Sequence, residues 1–386
     1  MTPSTASPPE PVRSSADVVV VVGTRPEIIK CAPVIAALGH RAFVIHTGQH
    51  YDDELADNFF TELGIGKPDL RLEGIGGKPR ATQIALMIED LAEHFGRIKP
   101  GAVIVQGDTN TVSAAAQAAN YTGTPLVHME AGLRSYDRAM PEEINRLVTG
   151  VLADVHCAAT AHNVEALRAE GVPASTIALT GNTIVEATLQ AIQKTPTVTI
   201  PDDPYIVATI HRPENTDSPA ALERILDALG QLPHRVILLI HPRTLAAVTR
   251  CGFEDKLERI TTMSPVGHTD LLALASHARL IVSDSGGLQE ECTVIKSPLL
   301  VVRRSTERPE SISAGFARLV TPDLDIVDEA AAAVTQSDSL STRPSPYGDG
   351  KTAERIAAIA ICLAEGSSPA DAVATVMAQP LGNSPE

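Results

Sequence analysis

Eight short runs of almost uninterrupted Val, Ile, Leu and Ala constrain this chain more than any other feature. Four lie in its first part: VVVVV (18–22), AFVIH (42–46), AVIVQ (102–106) and PLVHM (125–129). Four more follow an Ala-rich middle: YIVATI (205–210), RVILLI (235–240), RLIVS (279–283) and PLLVV (298–302). A strand with one wet face alternates apolar and polar residues, so runs without alternation must be buried on both faces. Each run leads into a turn and a helix-like stretch, the pattern of parallel strands covered by helices. At 386 residues the chain exceeds one ordinary core. The expected class is α/β, with two Rossmann-like, doubly wound parallel-sheet domains. The least apolar connection, LQAIQKTPTVTIPDDP (189–204), places their boundary near 185–203, giving domains at 17–185 and 186–354.

Charged and polar residues cluster where the runs end: GTRPE (23–27), TGQHYDDE (47–54), GDTNT (107–111), EAGLR (130–134), HRPEN (211–215), SDSGG (283–287) and STERPE (305–310). Ligands of open α/β sheets bind outside the carboxyl ends of the strands, so these loops are expected to converge on a cleft between the domains. With 31 basic and 47 acidic residues the formal charge is −16, which disfavours nucleic acid and anionic membrane as partners. An anionic ligand would need its own concentrated set of Arg, Lys, His and backbone N–H groups. Residues 1–16, rich in Pro and Ser, read as a disordered tail rather than a signal peptide, and 373–386 read as a second tail. Five dispersed cysteines (31, 157, 251, 292 and 362) without a CxxC pair suit a reducing cytosol. No apolar run reaches the roughly 18 residues needed to span a bilayer, so the expectation is a soluble, cytoplasmic protein.

Two stretches read as anion cradles. In VVVVVGTRPEIIK, Gly23 makes a tight strand-to-helix turn, Pro26 sits in the first helical turn, and Arg25 and Lys30 flank the helix start. In SDSGGLQEE, Gly286 and Gly287 let backbone approach a phosphate and Ser285 adds a hydroxyl donor. Glu291, four residues after Gly287, shares its helix face and can accept from a ribose diol, whereas Glu290 points elsewhere and reads as a solvated helix-start carboxylate. Acid–base candidates at strand ends are Asp108, Glu130, Glu142 and His211; Glu143 reads as a tie to Arg146. Histidines 46, 50, 128, 241 and 268 lack ligand spacing, and without HExxH no metal is expected. The Gly350-Lys351-Thr352 triplet fails as a phosphate loop because position 345 is Ser345 and no buried strand precedes it. The Gly23 turn lacks the three-glycine dinucleotide fingerprint, and Ser285 lacks the flanking glycines of a nucleophile elbow.

VGTRPEIIK, TGQHYDDEL, QGDTNT, HMEAGLRSYDRAMPEEINR, TIHRPEN, SDSGGLQEE, STERPE and PYGDGKTAERI stand in an order that resembles the UDP-N-acetylglucosamine 2-epimerase family, from about Val18 to Gly366. The resemblance implies a GT-B-like fold whose last helix, about 355–372, crosses back to the first domain, a UDP-binding second domain, and a homodimer. It implies interconversion of UDP-GlcNAc and UDP-ManNAc without cofactor or metal, by anti elimination of UDP through 2-acetamidoglucal and re-addition. By the same resemblance Arg25, Arg134, Arg212, Ser285, Gly286, Gly287 and Glu291 bind the UDP-sugar, while Asp108, Glu130, Glu142, His211 and Lys30 are catalytic. Three positions depart from the family: Pro213 and Arg304 stand where relatives carry Arg and Asp, and Gln49-His50-Tyr51 stands where members activated by a second substrate molecule read Gln-His-Arg. A hydrolysing epimerase that releases ManNAc and UDP, a GT-B glycosyltransferase and a silent nucleotide-sugar sensor remain alternatives.

Overall fold

A computed structural model describes residues 17–49, 60–322, 326–335 and 339–378. The tail expected at 1–16, the residues His50 and Tyr51, and the end of the chain from 379 lie outside the described residues. The chain forms two compact units, Met1–Thr183 with Lys351–Glu386, and Ile184–Gly350.

Unit 1 begins with β1 (Val18–Val22), α1 (Arg25–Leu38), β2 (Ala42–His46), β3 (Leu70–Arg71) and α2 (Arg80–Ile98). It continues through β4 (Ala102–Gln106), α3 (Asn110–Thr122), β5 (Leu126–Ala131), α4 (Pro141–Leu152), β6 (Val155–Ala158), α5 (Ala161–Ala169) and β7 (Ile177–Leu179). Its strands form one parallel sheet in the order β3-β2-β1-β4-β5-β6-β7. The unbroken run in β1 is explained by its two faces. Val18, Val20 and Val22 pack into a core with Ile28 and Val34 of α1, whereas Val19 and Val21 face Met87, Leu91 and Phe95 of α2. Every β1 side chain is therefore buried, as a strand covered on both sides requires.

Unit 2 opens with α6 (Ile184–Ile192), then β8 (Tyr205–Thr209), α7 (Pro213–Thr216), α8 (Pro219–Gln231), β9 (Arg235–Leu239), α9 (Pro242–Cys251) and β10 (Thr261–Met263). It ends with α10 (His268–His277), β11 (Leu280–Ser283), α11 (Gly286–Ile295), β12 (Leu299–Val302), α12 (Pro309–Ser313), β13 (Ala317–Val320) and α13 (Ile326–Thr335). The parallel order is β10-β9-β8-β11-β12-β13. Again the faces divide: Ile206 and Ala208 meet Leu222 and Ile225 of α8, while Tyr205 and Val207 meet Leu274 of α10.

The boundary expected near 185–203 is displaced. The break falls at Thr183, because α6 buries Ile184 and Val185 and packs on α10 and α11 within unit 2. The Pro- and Asp-rich stretch that suggested a boundary is instead a connection inside unit 2, where Thr197 bonds Asp270. The chain returns to unit 1 as α14 (Thr352–Ala364), which packs on α1 and β4 so closely that a Cβ at Gly101 would lie 2.6 Å from the Ala364 Cα. A further helix, α15 (Pro369–Met377), occupies residues expected as the end of the crossing helix and, from 373, as tail. It is held by burial of Ala372, Val373 and Val376.

Candidate active site

In each sheet the order reverses at one place, between β1 and β4 and between β8 and β11. The loops leaving the two central strands part there, which opens the usual ligand crevice of doubly wound folds. In unit 1 a buried carboxylate clamps those loops together. Glu27 accepts from the Gly23 N–H (2.9 Å) on its own loop and from the Thr109 hydroxyl (2.6 Å) on the β4 loop. Burial pushes the Glu27 carboxyl up to about 7, with hydrogen bonds from Thr109, Gly23 and Thr24 acting the other way. Gly23 is required by space: a Cβ would lie 2.1 Å from Thr111 Oγ1 and 2.3 Å from Thr47 Oγ1. Those hydroxyls are bonded to each other at 2.8 Å, and Gln49 holds Thr111 at 2.9 Å, so neither can yield freely. Gly23→Ala should therefore cost about 1–3 kcal/mol of stability, read by urea denaturation. A midpoint equal to wild type would show that the loop adjusts.

Beside the clamp, Lys30 Nζ lies 2.5 Å from Glu130 Oε1, with both side chains about nine-tenths buried. Asn182 donates to the same oxygen at 2.9 Å and Gln106 to the other. Glu130 adopts φ +61°, where the β5–β6 register shifts between Met129 and Ala131. Left-handed backbone is costly for a non-glycine residue, and here it aims a carboxylate into a fixed set of donors. Asp108, one residue past the β4 turn at Gly107, takes Arg146 Nε at 2.8 Å and Nη2 at 2.5 Å, and keeps 25% side-chain exposure. Arg146 Nη1 also bonds Glu143 at 2.8 Å. Burial works to raise the Glu143 carboxyl, but the Ser135 N–H, Arg146 and the Tyr136 N–H outweigh it and hold it below the ordinary range.

In unit 2 the clamp is Asp284, fully buried after β11, whose oxygens accept from the backbone N–H groups of His211 (3.0 Å) and Arg212 (2.8 Å) and from Asn215 Nδ2 (3.0 Å). Ser285 directly precedes α11, leaving the N–H groups of its first turn for an anion. Two guanidinium groups converge on that turn. A Cβ at Gly286 would lie 3.1 Å from Arg308 Nη1 and 3.8 Å from Arg212 Nη2. Burial, and after it the Arg303 guanidinium, lowers the Arg212 pKa, with Glu307, Asp284 and Glu214 acting the other way. Glu291 sits on the Gly287 face, with Oε2 4.0 Å from the site of a Gly287 Cβ and Oε1 2.7 Å from His268 Nε2.

The structure thus groups Lys30, Glu130 and Asp108 in unit 1, with Arg25 exposed at the start of α1, and groups His211, Arg212, Ser285, Gly286, Gly287 and Glu291 in unit 2. Two of the expected site residues, Arg134 and Glu142, stand apart from these groups, and one expectation, the solvated Glu290, is corrected. Arg134 is turned away into a two-pronged pair with Glu170 (2.7 Å to each oxygen), because the Arg side chain is buried against α5 rather than at the strand ends. Glu142 is exposed in the first turn of α4, while its neighbour Glu143 takes the buried position and bonds Ser135, Tyr136 and Arg146. Glu290 is buried, not solvated, and anchors Arg308 at 2.9 Å over the cradle. Sequence reasoning gave no role to Glu27, Gln106, Asn182, Asp284 or Arg308. Asp284 and Arg308 stood in quoted strand-end motifs, and Asn182 follows β7 in a polar loop of the same kind.

Residues 34–360 match the family model described as UDP-N-acetylglucosamine 2-epimerase. The chain is 37% identical over 359 residues to UDP-N-acetylglucosamine 2-epimerase of Methanocaldococcus jannaschii, covering 88% of this chain and 97% of that protein. It is 34% identical over 351 residues to UDP-2,3-diacetamido-2,3-dideoxy-D-glucuronate 2-epimerase of Pseudomonas aeruginosa, covering 88% and 98%. The crystal structure of Methanocaldococcus jannaschii UDP-GlcNAc 2-epimerase in complex with UDP-GlcNAc and UDP superposes with a TM-score of 0.75 at 36% identity, covering 88% of this chain and 98% of that one.

Proposed function

This chain belongs to the UDP-N-acetylglucosamine 2-epimerase family, and from that premise we propose that it interconverts UDP-GlcNAc and UDP-ManNAc without hydrolysis. The reading is supported within each unit by itself: unit 2 has a two-arginine cradle at the start of α11, and unit 1 has two differently held carboxylates at the β4 and β5 ends. In this reading the first-turn N–H groups of α11, with Ser285, Arg212 and Arg308, hold the diphosphate, and Glu291 holds the ribose. Asp108 takes the C2 proton, because its carboxylate keeps an exposed edge while Glu130 is enclosed by Lys30, Gln106 and Asn182.

As the C2–H bond breaks, its electron pair forms the C1=C2 bond, and the C1–O bond to UDP breaks with both electrons on the departing phosphate. The intermediate is 2-acetamidoglucal. UDP then adds back to C1 while C2 receives a proton on the opposite face from the Lys30–Glu130 pair, which regains one from solvent as Asp108 releases the proton it took. Elimination and re-addition leave the oxidation level unchanged overall, so the sequence of steps calls for no redox partner.

Incubation with UDP-GlcNAc in D2O, followed by NMR, tests the reading. Deuterium at C2 of intact UDP-ManNAc is expected. Free ManNAc with stoichiometric UDP would point to hydrolysis instead, and absence of C2 exchange would sink both. Running UDP-2,3-diacetamido-glucuronate in parallel decides between the substrates of the two relatives. Within the same reading, Glu291→Gln should weaken UDP binding about 10–100-fold, the loss of a charge-assisted hydrogen bond worth about 1.5–3 kcal/mol. Calorimetry showing wild-type affinity would remove Glu291 from the ribose site.

A further inference from the structure

We propose that Asp284 is the positioning residue for His211: it fixes the proton on the imidazole Nδ1, so that Nε2 is the atom offered for proton exchange with the bound substrate. The inference takes the proposed reaction as its premise, adds to it a proton-exchanging role for His211, and rests on geometry for how the imidazole is held.

Asp284 cannot move. Its carboxylate receives the His211 and Arg212 N–H groups and Asn215 Nδ2, and Asn215 is itself buried and donates to Val302 O at 2.9 Å. Three segments, the β8 loop, α7 and the end of β12, therefore set its position. His211 Nδ1 lies 3.2 Å from Asp284 Oδ1. An ionised carboxylate only accepts hydrogen bonds, so the nitrogen facing it is the one that carries hydrogen. Nε2 is then the ring nitrogen without a proton in the neutral imidazole, and the side chain retains 40% exposure through which a ligand can reach it.

The surrounding charges favour that neutral form in the resting protein. Burial lowers the His211 pKa; Asp284 works against it, and His241, Arg212 and Arg243 add to the lowering. His241 packs its ring 5.6 Å from that of His211. Once Nε2 accepts a proton, the same carboxylate stabilises the imidazolium, the division of labour seen wherever a buried Asp backs a catalytic His. A backbone-only role for Asp284 would explain the loop contacts but not the placement of a carboxylate oxygen against Nδ1.

The decisive measurement is made on the wild-type protein and needs no substrate. Long-range ¹H–¹⁵N correlation spectra of the imidazole-labelled protein, with His211 assigned by its loss in His211→Asn, should show the Nδ1–H tautomer. An Nε2–H tautomer would overturn the proposal, whatever the enzyme proves to catalyse. In Asp284→Asn the amide N–H can face Nδ1 and turn it into an acceptor. The tautomer should invert, kcat should fall about 10²–10⁴-fold, and the limb of the pH–rate profile assigned to His211 should move. Adding Asp284→Asn to His211→Asn should cost little further activity. Full additivity of the two losses would show that Asp284 acts only through the backbone and would likewise overturn the proposal.

Discussion

Asp108→Asn is expected to abolish deuterium incorporation at C2, lowering kcat about 10²–10⁴-fold, while UDP affinity and stability stay close to wild type. The amide retains one oxygen for the Arg146 guanidinium, so the loop after β4 keeps its anchor. It has no basic lone pair for the C2 proton. Arg146 is not stranded either, because Nη1 remains bonded to Glu143 at 2.8 Å. That arrangement makes the test clean: Asp108 can lose its charge without leaving a buried cation unpaired, the usual source of indirect damage. Single-turnover exchange in D2O separates the chemical step from release. Strong residual exchange would remove Asp108 from the proton-transfer set and move the C2 base to Glu130.

The fold was legible because burial on two faces leaves a mark in the sequence. VVVVV, YIVAT and their counterparts became central strands or their neighbours, each sandwiched between helices. The strands that left no such mark are short, and four of them lie at sheet edges: β3 and β7 in unit 1, β10 and β13 in unit 2. An edge strand has one partner, so Thr261–Met263 or Leu70–Arg71 can form with little apolar content. The site was legible in part for a related reason, since residues just past central strands have few structural tasks. Asp108 could be picked out by its place after a central strand, Glu130 by its place at the end of one, and Glu291 by its spacing from Gly287. Their partners could not. Asn182 is 52 positions from Glu130, and Arg308 is 18 positions from the glutamate that holds it, distances that carry no periodic signal. Of two adjacent pairs of carboxylates, one was read in part: Glu143 does tie to Arg146, whereas Glu290 reads as solvated until Arg308 is seen beside it.

Lys30→Met should be the most destabilising single change at the site, at about 3–5 kcal/mol, the range found when one member of a buried pair is removed. The charge left behind would be Glu130, whose side chain is 10% exposed and whose donors include the neutral amides of Gln106 and Asn182. Neutral donors cannot replace an ammonium 2.5 Å away. Adding Glu130→Gln to that variant removes the orphaned charge, so the double variant should regain much of the lost stability. Urea denaturation of the four proteins of the cycle measures the coupling. Activity should behave differently: C2 exchange stays absent in both single variants and in the double one, since restored folding returns neither the cation nor the carboxylate. If the double variant is no more stable than Lys30→Met, the loss comes from the lysine stem and its packing, and the ion pair is not what holds this part of unit 1 together. A recovery of stability without recovery of exchange would instead separate the two tasks of the pair, since the same 2.5 Å contact would then account for the folding of the β5 bulge and for the chemistry placed on it.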